Sequence, residues 1–251
     1  MSADTLTALR LEVTGDVTSF RYPFFTQGFQ PTFEMPPPST IYGLLCSAVG
    51  DYLSAAQIDG LRFGYHFTHS GKFIDHKEHL HFDDPVQPFP FDRQLLFRPR
   101  LTLYLVDAPE RLVEMAGAFQ QPYYTLVLGR SQDLVSCHRI GFVALERAER
   151  GYFENTLLPL SLAPILGGDL TSATMPRYID PRRRAQAAPF ALLRGRAVYP
   201  PAAEEFGDDE DDPPLMYENA PPVELWRDPD SPEHPQQPGL KRLIYLHSFR
   251  E

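Results

Sequence analysis

The chain has 251 residues, of which 43% are hydrophobic, enough to bury one large core or a core with an appendage. It contains no run of 18 apolar residues, and its first eight residues lack the basic and apolar blocks of a secretory signal. We therefore expect neither a membrane span nor a leader. The two cysteines, Cys46 and Cys137, cannot build a disulfide framework, so we expect buried free thiols and a cytoplasmic protein.

The net charge of −10 argues at first against a nucleic-acid partner, but the charge is unevenly distributed. Residues 202–235 hold twelve acidic residues and one arginine, a net charge of −11, which leaves +1 for the rest of the chain. The basic residues are 20 arginines and only three lysines. Arginine stacks on bases and binds phosphates bidentately better than lysine does. A GC-rich genome would produce the same bias, so both interpretations stay open.

Apolar periodicity predicts a regular succession of elements in the first half of the chain. Residues that alternate between apolar and polar predict four strands, over residues 6–13, 61–67, 95–107 and 123–128. Helical spacing predicts one helix that begins at an N-cap, Ser39, and stops before Gly60. It predicts a second, shorter helix that begins at Pro109. Residues 70–93 between the second and third strands are polar, rich in histidine and interrupted by proline.

The order β-α-β-β-α-β is that of ferredoxin-like and RRM-type α+β folds. Both helices would cover one face of the sheet and leave the other face open for a partner. We predict this ferredoxin-like domain over residues 1–140. Residues 141–251 are predicted to form an irregular C-terminal extension that holds the acidic, proline-rich segment 202–235. Short strands over residues 139–146 and 241–248 are also expected.

Three motifs in the first 140 residues resemble the CRISPR-associated Cas-five family. They are SFRYP (19–23) followed by PPSTIYGLL (37–45), LLFRPRLTLYL (95–105) and LGRSQDL (128–134). The family consists of RAMP-superfamily subunits of type I, and here type I-B-like, Cascade complexes. The resemblance implies a ferredoxin-like core with a projecting thumb, which corresponds here to residues 70–93.

The resemblance also implies a function and a set of partners. A member of the family binds the repeat-derived 5′ handle of crRNA within a ribonucleoprotein that serves antiviral defence. It lies beside the backbone subunit and the large subunit of Cascade and meets target DNA only indirectly. On this basis we expect a non-catalytic subunit without a cofactor and without a membrane partner.

Single-stranded RNA is bound by aromatic side chains that stack on bases and by arginines and backbone N–H groups that hold phosphates. The aromatic loop at 19–25, the first turn of the Ser39 helix and the polar turn at 129–133 have this character. The candidate RNA-binding residues are Ser19, Arg21, Tyr22, Ser39, Thr40, Tyr42, Gly43, Lys72, His76, Arg98, Arg130, Ser131 and Gln132.

Structural alternatives to these contacts remain open. In the first alternative, the aromatic loop packs over the sheet, with Phe20 as its core residue. A helical glycine is disfavoured by about 1 kcal/mol relative to alanine, and tight packing would explain Gly43 as well as the approach of RNA would. In the third alternative, the turn at 129–133 is a polar loop held by a local pair between Arg130 and Asp133.

Three other features have functional alternatives. Some members of the resembled family cleave precursor crRNA without metal by a Tyr, Lys and His set, for which Tyr22, Lys72 and His76 are the candidates. Five histidines within sixteen residues allow a metal site, because imidazoles are good zinc ligands; they are His66, His69, His76, His79 and His81. The basic run Arg182-Arg183-Arg184 would contact RNA, contact a neighbouring subunit, or form a solvated loop.

Overall fold

The structure, a computed structural model, describes residues 5–25, 28–81, 87–166, 169–201 and 223–250. It is a mixed α/β protein that consists mostly of sheet. In the described residues the strands are β1 (Thr5–Gly15), β2 (Val17–Thr18), β3 (Phe29–Gln30), β4 (Arg62–Thr68), β5 (Gly71–His81), β6 (Gln87–Phe97), β7 (Arg100–Val106), β8 (Val135–Arg147), β9 (Gly151–Pro159), β10 (Leu170–Ile179), β11 (Ala185–Tyr199), β12 (Leu225–Arg227), β13 (Glu233–His234), β14 (Gln237–Lys241), β15 (Leu243–Tyr245) and β16 (His247–Ser248).

The helices among the described residues are α1 (Pro38–Val49), α2 (Ala55–Ile58), α3 (Pro109–Gln120) and α4 (Ala163–Leu166), with a 3₁₀ turn at Leu160–Leu162. None of these helices has the length and the apolar character needed to cross a membrane. Both cysteines are free thiols packed against the core. Burial raises the pKa of each, to about 11 for Cys137, so neither is a reactive thiolate at neutral pH.

The main sheet has seven strands in the order β15-β12-β8-β1-β7-β4-β16, and neighbouring strands run antiparallel. Its centre is β1, whose Leu9, Leu11 and Val13 face the core beneath α1 and α3, as their alternation predicts. The predicted boundary at residue 140 falls inside β8, which pairs with β1 from Gly15 to Thr5. The strand expected over 139–146 is therefore part of the sheet's centre.

Helix α1 begins earlier than predicted and stops before Gly60, as predicted. Pro37 is its N-cap residue and Pro38 its first residue, so Ser39 lies within the first turn and makes no capping bond. Gly50 ends the helix in the left-handed conformation, with φ of 91°, well before Gly60. A side chain on Gly50 would lie 2.4 Å from the ring of Tyr123, so the close approach also requires glycine.

Residues 123–128 form no strand of the sheet, which corrects the predicted fourth strand. They contain bends and one isolated bridge, between Val127 and Leu134. The N–H groups of Tyr123 and Tyr124 donate to the carbonyls of Ala48 and Ser47 near the end of α1. Leu126 and Leu128 are buried, so the apolar alternation reflects burial and not strand pairing. Periodicity could not separate the two, because backbone amides can be satisfied on a helix end as well as on a strand.

The predicted strand over 95–107 is two strands. Residue Arg98 adopts a left-handed conformation, with φ of 52°, and Pro99 follows it, so β6 ends at Phe97 and β7 begins at Arg100. Strands β5 and β6 form a long antiparallel hairpin, with Gly71 opposite Phe97 at one end and His81 opposite Gln87 at the other. This hairpin comprises most of the predicted thumb. Strands β2 and β3 pair with the same β6 and tie the hairpin to the loop that follows β1.

The C-terminal part is mostly strand rather than the irregular chain predicted. Strands β10, β11 and β9 form a separate three-stranded sheet, and Tyr178 of β10 packs on Tyr42 of α1. Two bulges interrupt the register, between Pro176 and Tyr178 and between Leu193 and Arg196. Each bulge shifts the apolar alternation by one residue, which hides it from a period of two. Of the acidic segment, residues 202–222 lie outside the described residues.

The predicted closing strand, over 241–248, is divided into β15 and β16, which are the two edge strands of the main sheet. Only Leu246 separates them, so the sheet curls until its two edges meet there. The face opposite α1 and α3, expected to be open, is covered where Trp226 and Ile244 pack on Tyr104. Asp228 accepts hydrogen bonds from Arg10 Nη1 at 2.9 Å and the Tyr104 hydroxyl at 2.8 Å.

Candidate nucleic-acid interface

Three of the sequence motifs meet at one end of the main sheet. Strand β1 ends at Gly15 opposite Val135 of β8, and the neighbouring Thr14 lies opposite Arg100 of β7. The N–H of Arg98 donates to the backbone carbonyl of Asp16 at 2.7 Å, and a side chain on Gly15 would touch both Leu134 and Pro99. The loop after β1, the β6–β7 bend and the loop before β8 therefore form one continuous surface.

A buried carboxylate, Asp133, organises the loop before β8. It accepts hydrogen bonds from the backbone N–H of Ser19 at 3.1 Å and of Arg130 at 2.9 Å. Gly129 has φ of 110°, and a side chain there would lie 2.7 Å from the Ser19 carbonyl. The hydroxyl of Thr18 also donates to the Leu128 carbonyl. The loop is thus fixed against the end of β1 by polar contacts in the protein interior.

Arg130 is a structural residue in this structure. Its Nε lies 2.9 Å from Asp133 Oδ2 and its Nη2 2.5 Å from Oδ1, and its side chain is 10% exposed. The local Arg130–Asp133 pair, one of the alternatives from the sequence, is therefore present. Arg130 Nη1 and the hydroxyl of Ser19 are buried and have no hydrogen-bond partner among the described residues. Ser131 and Gln132 are exposed at the tip of the loop.

Beside this loop, Arg98 and Phe97 form an exposed cation–aromatic pair. The guanidinium carbon of Arg98 lies 5.0 Å from the centre of the Phe97 ring. Phe73 of β5 meets the same ring edge-on at 6.4 Å, and Phe73 and Phe97 are about 40% exposed. Arg100 is also exposed. Sequence reasoning missed both phenylalanines, although the proline after Arg98 marks the bend that exposes Phe97.

The aromatic loop after β1 is divided between core and surface. Phe20 is 2% exposed and packs edge-on against Phe67, as expected for its core residue. The Tyr22 ring stacks on Phe33 at 3.8 Å and is half-buried, whereas Arg21 is exposed. Phe24, 80% exposed, is a further surface ring that no candidate list from the sequence includes. The Arg21 side chain is therefore accessible to a ligand, whereas Tyr22 mainly packs against Phe33.

The first turn of α1 does not provide the anion site that the sequence predicts. Pro38 has no N–H, and the N–H groups of Thr40 and Ile41 both donate to the Pro37 carbonyl, at 2.8 and 3.3 Å. Tyr42 is 3% exposed and its hydroxyl donates to the Leu53 carbonyl, so it is a core residue and has no surface for RNA. Gly43 is exposed, and a side chain there would meet nothing within 4 Å, which removes tight internal packing as its explanation.

Lys72 and His69 meet at Glu34, at the base of the β5–β6 hairpin. Lys72 Nζ lies 2.5 Å from Glu34 Oε1, and His69 Nε2 lies 3.4 Å from Oε2. The hydrogen bond with His69, and then that with Lys72, lowers the pKa of Glu34 to about 2 against the effect of burial. Burial, and then the charge of Glu34, raises the pKa of Tyr22. Neither Glu34 nor His69 was among the predicted site residues.

The remaining histidines are dispersed. His76, 78% exposed, pairs with Asp92 and lies four residues from Lys72 on an extended strand, about 13 Å away. His66 lies 3.4 Å from Glu154 on another part of the molecule. The side chains of His79 and His81 lie outside the described residues. Among the side chains described, no group of three or more metal-ligating residues is placed to hold a metal ion.

Comparison with known proteins gives a consistent result. A family model described as "CRISPR-associated protein (Cas_Cas5)" matches residues 8–175. No curated protein sequence matches the chain. A chain of a solved "CRISPR RNA-guided surveillance complex" is similar, with a TM-score of 0.53 and 15% identity over 85% of this chain and 97% of that one.

Two further solved structures are similar at lower scores. A CRISPR protein from Archaeoglobus fulgidus has a TM-score of 0.47 and 12% identity, over 77% of this chain and 91% of that one. A chain of a Type III-B Cmr-beta complex bound to cognate target RNA has a TM-score of 0.48 and 9% identity, over 75% and 85%. The family model covers well over half of the sequence, including all three motifs. The chain therefore belongs to the CRISPR-associated Cas5 family.

Proposed function

We propose that this protein is a non-catalytic subunit of a type I CRISPR surveillance complex and that it binds the 5′ handle of crRNA. The observation that carries the proposal is the meeting of three motif segments at one end of the main sheet, where arginines and aromatic rings are exposed together. In the complex the protein would lie beside the backbone and large subunits and would meet target DNA indirectly. Its near-neutral charge outside residues 202–235 is consistent with affinity shared among subunits.

Each part of this surface has a distinct task in the proposal. Phe97 offers a face on which an unpaired base stacks, and Arg98 holds the adjoining phosphate. Ser131 and Gln132 present hydroxyl and amide groups to base edges. Asp133 contacts no RNA itself but keeps that loop in place. Arg21 extends the surface along the loop that follows β1.

We also infer that the core is ferredoxin-like and that the β5–β6 hairpin is the thumb. The strands β1, β4, β7 and β8 alternate with α1 and α3 in the order β-α-β-β-α-β. They lie in the sheet as β8-β1-β7-β4, with the second and third strands adjacent and the first strand between the third and fourth. The hairpin projects between the second and third of these strands, where the family resemblance expects a thumb.

Purification from the native cell tests the proposal first. The tagged protein is isolated gently and the RNA that accompanies it is sequenced. We expect short RNAs that share one repeat-derived 5′ end, together with larger protein partners. Recovery of the folded protein with no RNA and no partner would contradict the assignment.

The recovered 5′ end then serves as a labelled probe for purified variants. We expect the double variant F97A/R98Q to bind the handle RNA at least tenfold more weakly, because it removes a stacking face and a cation. The control R150Q makes one charge change at an exposed arginine in the turn between β8 and β9. Equal affinities for F97A/R98Q and R150Q would remove the β6–β7 bend from the site.

Binding without cleavage is favoured over the endoribonuclease alternative by the geometry of its candidate residues. Because its pKa is raised, the Tyr22 hydroxyl stays protonated at neutral pH and is not available as a base. Lys72 is paired with Glu34, and His76 is too far from Lys72 for both to act on one phosphodiester bond. Incubation of the purified protein with repeat RNA and a chelator, from pH 5 to pH 9, is expected to leave the RNA intact. Cleavage at the repeat that the variant H76A abolishes would establish the alternative.

A further inference from the structure

The tip of the β10–β11 hairpin is an isolated basic surface on a different element from the candidate interface. The turn from Asp180 to Arg184 carries Arg182, Arg183 and Arg184 in succession, and residues 181–187 are all exposed. The hairpin runs from the Leu170–Leu193 pair to the Ile179–Ala185 pair, so its tip lies roughly 30 Å from its base. On a protein of net charge −10, such a concentration of positive charge needs an explanation.

Arg183 occupies a backbone position that favours glycine. The N–H of Arg183 donates to the Asp180 carbonyl at 2.8 Å, and the N–H of Asp180 donates to the Arg184 carbonyl at 3.1 Å. This is the three-residue hairpin loop whose last position is left-handed, and Arg183 has φ of 63° there. Glycine or asparagine would fit this position without strain. A residue in a backbone conformation that its type disfavours is a candidate for a functional side chain.

The charges of the tip are only partly neutralised. Arg184 is held by Asp180, whose Oδ2 lies 2.7 Å from both its Nε and its Nη2. Within the parts of the chain that are described, Arg182 and Arg183 have no ion pair. The turn therefore presents two unpaired guanidinium groups and a third whose orientation is fixed. Adjacent arginines at a turn match successive phosphates of a nucleic-acid backbone better than they match a single carboxylate.

We propose that the Arg182–Arg184 tip binds the sugar-phosphate backbone of a nucleic-acid strand, as a second contact beyond the handle site. Two strands have this chemistry, the guide RNA that the complex carries and the DNA to which it is directed. Recognition is through phosphates and is independent of sequence. Because the tip reads no repeat sequence, the inference is tested with nucleic acids that lack a handle, so its outcome is separate from that of the handle proposal.

The test uses the full-length protein, a 30-nucleotide RNA without repeat sequence and a 30-base-pair DNA duplex, each in fluorescence anisotropy across a salt series. The double variant R182Q/R183Q is expected to bind one of the two probes five- to tenfold more weakly than wild type does. The slope of the logarithm of the binding constant against the logarithm of the salt concentration should decrease in magnitude by about 1.4 for the single strand or about 1.8 for the duplex, because two phosphate contacts are lost. The probe that responds identifies the strand.

Two single variants separate binding from stability. R183G relieves the left-handed arginine, so its melting temperature should rise by about 2 °C while its affinity falls. R150Q, with one charge change at a different exposed turn, should match wild type. Equal affinities and salt slopes for R182Q/R183Q and wild type would overturn the proposal, as would wild-type protein that binds neither probe at low salt. Loss of a protein partner with unchanged probe binding would assign the tip to a protein interface instead.

Discussion

Replacing Asp133 with alanine is expected to lower the free energy of unfolding by about 3–5 kcal/mol, because it leaves a buried arginine without its counter-charge. Asp133 is 2% exposed and accepts from two backbone N–H groups as well as from Arg130. In D133A the Arg130 guanidinium and both N–H groups lose their acceptor in a place that water does not reach. The loop before β8 should detach from the end of β1, and handle affinity should fall with it.

Urea unfolding at pH 7 measures this effect, with three comparison variants. Q132A changes an exposed neighbour and should leave the unfolding midpoint unchanged. R130A should lower the free energy of unfolding less than D133A does, because the remaining carboxylate still accepts hydrogen bonds from the N–H groups of residues 19 and 130. The double variant R130A/D133A should be less destabilised than the sum of the two singles. A D133A protein as stable as Q132A would show that the carboxylate does not hold the loop.

The D133A result also decides how the LGRSQDL motif is to be interpreted. Its residues look like a set of RNA contacts when they are considered one by one. In the structure they divide, with Arg130 and Asp133 turned inward and Ser131 and Gln132 outward. Sequence spacing alone cannot separate these roles, because an arginine and an aspartate three residues apart can pair with each other or with separate partners. The hydrogen bond from the Ser19 N–H to the buried Asp133 carboxylate, a contact across 114 residues, determines that the pair faces inward.

Local patterning could predict the elements of the central sheet but not where several of them end. Alternation in β1 and helical spacing in α1 act within a few residues, and both elements are present. The ends depend on single residues with unusual backbone conformations. Gly50 stops α1 in the left-handed region, and Arg98, with Pro99 behind it, divides one apolar run into β6 and β7. The proline was visible in the sequence, but the positive φ of an arginine was not.

The second face of the main sheet is covered by residues far away in the sequence, so the N-terminal motifs could not predict that it is covered. Trp226 and Ile244 pack on residues more than 100 positions earlier, and Asp228 fixes that segment through Arg10 and Tyr104. An α+β sheet with helices on one face is expected to leave the other free, and here the chain itself occupies it. The surface to which we assign RNA binding is therefore the end of the sheet, where loops rather than strand faces carry the exposed groups.

Glu154 is expected to be the second residue whose replacement strongly destabilises the protein. It is 7% exposed on β9, with Arg196 Nη2 at 2.6 Å, Arg242 Nη2 at 2.8 Å and His66 Nε2 at 3.4 Å. Burial alone would raise its pKa, but the nearby His66 ring and the charge of Arg242 lower the pKa of Glu154 to about 2. Because β4, β9, β11 and the segment before β15 meet at this carboxylate, its charge links the two sheets.

The variant E154Q should unfold about 3 kcal/mol more easily at pH 7, the free energy that corresponds to lowering a carboxyl pKa from 4.5 to about 2. The sign follows from the folded pKa lying below the unfolded one. Above pH 4.5 the carboxylate is ionised in both states and its stabilisation is complete. Between pH 4.5 and 2 the unfolded chain binds a proton that the folded protein resists, so the stabilisation disappears as the pH falls.

Urea unfolding of wild type and E154Q from pH 7 to pH 3 tests this dependence, with E149Q as the control at an exposed glutamate nearby. The difference between wild type and E154Q should shrink as the pH falls from about 4.5 to 3. Above that range the comparison also contains His66, whose pKa is lowered by burial and raised by Glu154. E149Q should follow wild type throughout. Other acidic groups, including Glu34, are present in both proteins and cancel in the comparison. A difference that stays constant down to pH 3 would mean that Glu154 acts through its shape and hydrogen bonds alone, and that its charge does not join the two sheets.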